Sequence, residues 1–166
     1  MTKPQVGIVM GSDSDLSIMK EAVKVLRQFG IESELIVASA HRTPYKALQY
    51  AEQAEEKGID VLIAGAGAAA ALPGVLAAVT TVPVIGVPIN ATPLQGLDAL
   101  YAIVQMPSGI PVATVAINGA KNAGILAAQI LAVKDAGLRQ QLKEYKEKMA
   151  QEVEVKSQRV QEAVID

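Results

Sequence analysis

Short, unbroken apolar runs recur along this chain, and a stretch with helical spacing follows nearly every one. QVGIVM (5–10) ends at Gly11, and SELIVA (33–38) and DVLIAG (60–65) come next, followed by PVIGVP (83–88) and PVATVAI (111–117). Continuous runs of this length suit strands buried on both faces, since crossover helices cover a parallel sheet above and below. Between the runs, Leu16, Met19, Val23, Leu26 and Phe29 keep helical spacing up to a stop at Gly30. Pro44 to Lys57 reads as a second helix, closed by Gly58, and others are expected near 72–80, 95–106 and 119–135. Strand, helix, strand with short connections predicts an α/β fold. The expected form is a three-layer sandwich of flavodoxin-like kind around a parallel five-stranded sheet.

From Leu138 the pattern changes. Leu138, Leu142, Tyr145, Met149 and Val153 mark one apolar stripe, with Lys and Glu filling many of the other positions. This predicts one long C-terminal amphipathic helix suited to lying across a neighbouring subunit, with KEYKEK (143–148) as its solvated face. A length of 166 residues fits a single domain, 1–166, made of an α/β core (1–135) and that helix (136–166).

Composition removes several function classes. The net charge of −2 leaves no electrostatic footprint for nucleic acid, and four Tyr and one Phe are too few for base stacking. No cysteine is present, which excludes disulfides, thiolate metal sites and cysteine nucleophiles. A single histidine, His41, does not suffice for a histidine-based metal site. The apolar stretch near 61–89 is broken by Gly67, Pro73, Gly74, Pro83 and Pro88, which argues against a membrane span. MTKPQVGIVMGSDSD passes from a strand-like run straight into charge, unlike a secretory signal, so the expected location is cytoplasmic. With 51% hydrophobic residues and a mean hydropathy of +0.29, apolar surface buried between subunits is expected.

In open parallel sheets ligands bind beyond the carboxyl ends of the strands. That rule selects GSDSD (11–15), SAHRTP (39–44), GAGAAAALPG (65–74) and INATPLQG (89–96). GSDSD sets Gly, two hydroxyls and two carboxylates at a strand-to-helix turn. Ser12 or Asp13 there is an N-cap or part of a ligand site, and an Asp suits ribose hydroxyls better than phosphate. GAGAAAA satisfies a relaxed dinucleotide fingerprint, but it follows the third strand, and the acidic residue about 20 positions on is missing. A nicotinamide cofactor is therefore rejected. In SAHRTP, His41 is a hydrogen-bonded loop residue or a proton carrier. Arg42 beside it suits a phosphate or carboxylate. No GxSxG elbow supports a catalytic triad.

Taken together these loops resemble one family, N5-carboxyaminoimidazole ribonucleotide mutase of purine biosynthesis. The resemblance rests on MGSDSD (10–15), SAHRTP (39–44), IAGAGAAAALPG (63–74), PVIGVP (83–88), GLDALYAIVQMPSGIPVATVAI (96–117) and NAGILAAQIL (122–131). It implies conversion of N5-carboxyaminoimidazole ribonucleotide to 4-carboxyaminoimidazole ribonucleotide, with neither metal nor organic cofactor. The family's general acid and base falls on His41. Its substrate-binding positions fall on Ser12, Asp15 and Arg42, with Ser39, Gly67 and Leu72 also lining the pocket. It further implies a homo-octamer with sites at subunit interfaces. The family usually reads GAGGAAHLPGM where this chain reads GAGAAAALPGV, so Ala68 stands for a glycine, Ala71 for a second histidine and Val75 for a methionine. Two alternatives stay open: the related carboxylase, which takes aminoimidazole ribonucleotide and CO2, and a catalytically impaired ribonucleotide-binding oligomer.

Overall fold

The computed structural model describes residues 5–165. Five parallel strands form one sheet in the order β2-β1-β3-β4-β5. They are β1 (Val6–Met10), β2 (Ser33–Val37), β3 (Val61–Gly67), β4 (Val84–Ile89) and β5 (Ala113–Thr114). The apolar runs of β1 and β4 are buried along their whole length, as central strands demand. In register, Val6 lies between Ser33 and Val61, and Met10 between Val37 and Gly65. After β1 the chain steps to one side to form β2, then crosses back so that β3 pairs on the other side of β1. This reversal opens a crevice at the carboxyl ends of β1 and β3.

The helices that begin in the first compact unit, which runs to Ile130, are α1 (Leu16–Gln28), α2 (Pro44–Glu52), α3 (Ala54–Lys57), α4 (Leu72–Ala77), α5 (Leu97–Val104) and α6 (Ala120–Leu131). One sheet face packs on α2, α4 and α5. There Val9, Leu62 and Ala64 share a core with Tyr50, Leu76 and Ile103. The other face meets α1, where a Cβ on Gly65 would collide with the Met19 sulfur. Gly124 of α6 lies as tightly on Ala22 and Val25 of α1. Small residues thus let these layers close, which is how a core poor in aromatics reaches full density.

Several boundaries differ from expectation. The buried stripe of α1 is Met19, Ala22, Val25 and Leu26, while Leu16 is 45% exposed. The helix expected over 44–57 is interrupted at Gln53, although Gln53 still donates to Gln49 O and accepts from Lys57 N. Only Ala113–Thr114 of the run at 111–117 is strand. Pro88 of β4 has no N–H to offer the edge strand, so after Val115 N donates to Gly86 O the next contact is Asn118 N on Pro88 O.

The second unit, 131–166, is dominated by α7 (Ala136–Ile165). Asp135 caps it, its Oδ1 accepting from Leu138 N at 2.9 Å. The Arg139 guanidinium donates to the carbonyls of Ala132 and Val133, which fixes the turn that leads into α7. Leu138 and Leu142 are buried, whereas the stripe continues exposed through Met149 and Val153.

Candidate active site

A cleft of about 400 Å³ opens at the carboxyl ends of the strands. Four loops line it: the ones after β1, β2 and β3, and Ala91 after β4. All seven residues singled out from the sequence, Ser12, Asp15, Ser39, His41, Arg42, Gly67 and Leu72, border this one cleft.

The β1 loop is organised by its hydroxyls. Ser12 caps the 3-10 turn Asp13–Asp15, its Oγ accepting from Ser14 N at 3.3 Å and from the Ser14 hydroxyl at 2.9 Å. The capping role weighed for Ser12 is therefore real, and it coexists with a place on the cleft. Asp15 is the one buried charged residue among the described residues, 6% exposed. Burial holds its carboxyl above the usual carboxylate range. The Ser14 hydroxyl and the Ser12 backbone counter this, and the Asp13 charge adds to it.

The β2 loop carries the exposed His41 and Arg42. Arg42 reaches across to the β1 loop, donating from Nη2 to Gly11 O at 3.2 Å, and its backbone N–H donates to Ser39 Oγ at 3.1 Å. One guanidinium edge is thereby anchored, and the remaining donors can meet an anion. Ser39 spends its oxygen inside the loop.

Alanines dominate the β3 wall: Ala66, Ala68, Ala70 and Ala71. Ala68 (φ 54°) and Ala70 (φ 41°) lie in the left-handed region, which a Cβ disfavours. A family glycine at 68 is thus explained by the backbone. Gly67 answers a different need, since a Cβ there would sit 2.6 Å from Ala91 Cβ and 3.2 Å from Ile89 O. Leu72, 2% exposed, belongs to the core and forms the floor. Sequence reasoning did not single out Ser14 or Ala91, although both lie inside loops it had selected. Among the described residues no three His, Asp or Glu side chains group as a metal site requires.

A family model described as AIR carboxylase matches residues 5–152, and so takes in every strand and all four cleft loops. The chain belongs to the AIR carboxylase family. It is 58% identical over 159 residues to the N5-carboxyaminoimidazole ribonucleotide mutase of Thermotoga maritima, covering 96% of this chain and 93% of that one. Its identity to the protein of that name from Pyrococcus horikoshii is 57%, covering 96% and 90%. The fold superposes on a crystal structure of a Treponema denticola PurE2 variant with a TM-score of 0.84 and 30% identity, covering 95% of this chain and 98% of that one. The AIR carboxylase match ends inside α7, leaving the last turns of that helix beyond it. No helix of the described residues is long and apolar enough to cross a membrane.

Proposed function

We propose that this chain converts N5-carboxyaminoimidazole ribonucleotide to 4-carboxyaminoimidazole ribonucleotide in de novo purine biosynthesis, the activity for which its Thermotoga and Pyrococcus relatives are named. The observation that carries it is a single cleft bordered by one imidazole, one guanidinium, one buried carboxyl and three serines. Loss of the carboxylate from the exocyclic nitrogen as CO2 needs a proton on that nitrogen. Attack of C4 on CO2 then needs a proton removed from C4. An imidazole that gives the first proton and takes the second closes the cycle with nothing consumed. His41 takes that role. Arg42 holds the phosphate, Asp15 accepts from ribose hydroxyls, Ser12 and Ser39 complete the polar lining, and Gly67 and Leu72 form the wall. The cycle calls for no metal and no organic cofactor.

CO2 must stay in the site until it recombines, so the open cleft has to be covered. Neighbouring subunits of a homo-octamer, with sites at the subunit interfaces, supply the cover in this reading. Leu94, Leu97, Tyr101 and Val104, all at least half exposed on and beside α5, offer apolar surface for such contacts. A small ribonucleotide substrate suits a cytoplasmic enzyme.

Ala71 favours a second reading, a ribonucleotide-binding oligomer with impaired catalysis, because it leaves His41 as the one imidazole at the cleft. The test supplies the N5-carboxylated substrate and follows the C4 product, with His41→Asn as control. A parallel arm supplies aminoimidazole ribonucleotide with bicarbonate and reports the carboxylase. Product formed at least about a hundredfold faster by the parent chain supports the proposed role. Equal rates would refute it, and tight nucleotide binding without product would establish the second reading.

A further inference from the structure

Thr43 stands at the N-cap of α2, with its carbonyl accepting the first helical bond from Ala47 N at 3.2 Å. An N-cap threonine normally turns its oxygen to the N–H groups of the first helical turn. Here it does not: its side chain makes no capping bond. The hydroxyl points back along the loop, where Oγ1 accepts from Ser39 N at 2.9 Å and donates to Ser39 O at 3.2 Å. Thr43 N also donates to Ser39 O at 2.9 Å. Three bonds between two residues therefore close residues 39–43 into a ring, and Arg42 N on Ser39 Oγ braces it from within. The two side chains presented by that ring are His41 and Arg42. His41 is exposed and makes no hydrogen bond of its own among the described residues, so its position follows the backbone of the ring.

We infer that Thr43 is a positioning residue for the isomerisation proposed above: its hydroxyl clasps residues 39–43 and so sets where His41 and Arg42 stand. A proton carrier must meet two different atoms of one substrate, and small misplacement of such a group is costly. Thr43 is itself exposed, so replacing it disturbs no core packing. The hydroxyl is the part that matters, which predicts opposite behaviour for two conservative variants.

Thr43→Val keeps the shape of the side chain and removes the clasp, whereas Thr43→Ser keeps the clasp. For Thr43→Val we expect kcat to fall by about ten- to a hundredfold and KM to rise by roughly threefold or more, with a melting temperature close to the parent's. Thr43→Ser should stay within about threefold of the parent in both constants. A second readout needs no substrate. Because His41 is the only histidine in the sequence, the chain gives one imidazole Cε1–H resonance, which should shift or broaden in Thr43→Val and stay unmoved in Thr43→Ser. Parent-like kinetics with an unmoved resonance in Thr43→Val would overturn the inference, as would equal impairment of the two variants. Should the parent chain itself not isomerise the substrate, the proposed function falls, while the resonance still decides the role of Thr43.

Discussion

Ala68 shows how one residue can be judged from the backbone alone. At φ 54° its Cβ occupies a region that costs an L-residue about 1–2 kcal/mol, and glycine would be free of that cost. Part of the gain returns as chain entropy in the unfolded state, about 0.4–1 kcal/mol. Ala68→Gly is therefore expected to stabilise by up to ~1 kcal/mol and to raise the melting temperature by about 2–4 °C. A thermal melt at or below the parent's would show that the loop relaxes around Ala68 without strain. Asp15 supplies a pH-dependent counterpart. Its folded-state pKa is raised, chiefly by burial, so the folded chain binds this proton more readily than the unfolded one. The ionised carboxylate thus destabilises above the folded pKa, and this penalty is relieved as pH falls towards the ordinary value of 3.8. Asp15→Asn should melt above the parent at pH 7, with the difference shrinking on acidification, while its affinity for the ribonucleotide falls. A difference that is constant with pH would contradict the burial argument. Both Ala68 and Asp15 stood out in the sequence, one as a departure and one as a carboxylate in a loop. The burial of Asp15 did not, because depth depends on neighbours distant in the chain.

Among the elements, the strands were legible and their ends were not. β1, β3 and β4 announce themselves as unbroken apolar runs, since a strand covered on both faces has no polar alternation to hide it. β5 came out at two residues because its length depends on what β4 offers, and Pro88 offers no donor. The stripe of α1 rotated to Ala22 and Val25 for a similar reason. Gly124 of α6 accepts their close approach, and the helical spacing alone does not reveal that. Gly67 marks the same dependence at the cleft. Gly67→Ala would drive a Cβ against Ala91 and Ile89 O, separating the β3 and β4 loops. A destabilisation of about 1–3 kcal/mol is expected, with weaker nucleotide binding. Parent-like values in both a denaturant titration and a nucleotide titration would show that the β4 loop yields without cost.

For the whole molecule the telling surface is α5. Leu97, Tyr101 and Val104 are exposed at positions i, i+4 and i+7 of one helix, a stripe that a monomer has little reason to keep. Combining Leu97→Asp with Tyr101→Asp should lower the sedimenting mass. In the proposed oligomer it should also cut turnover, because the cleft would lose the cover proposed to retain CO2, while the monomer stays folded. An unchanged mass would refute α5 as a contact of the proposed oligomer. The sequence by itself determined the α/β class, the parallel sheet, the four ligand-end loops and the residues they carry. Those features follow from local periodicity and from turn residues that act within a few positions. Tertiary structure alone decided that the β1, β2 and β3 loops share one cleft. It also bent Arg42 back onto Gly11 and left Asp15 buried. The shared cleft depends on the strand order β2-β1-β3, which sets side by side loops that lie about thirty residues apart along the chain.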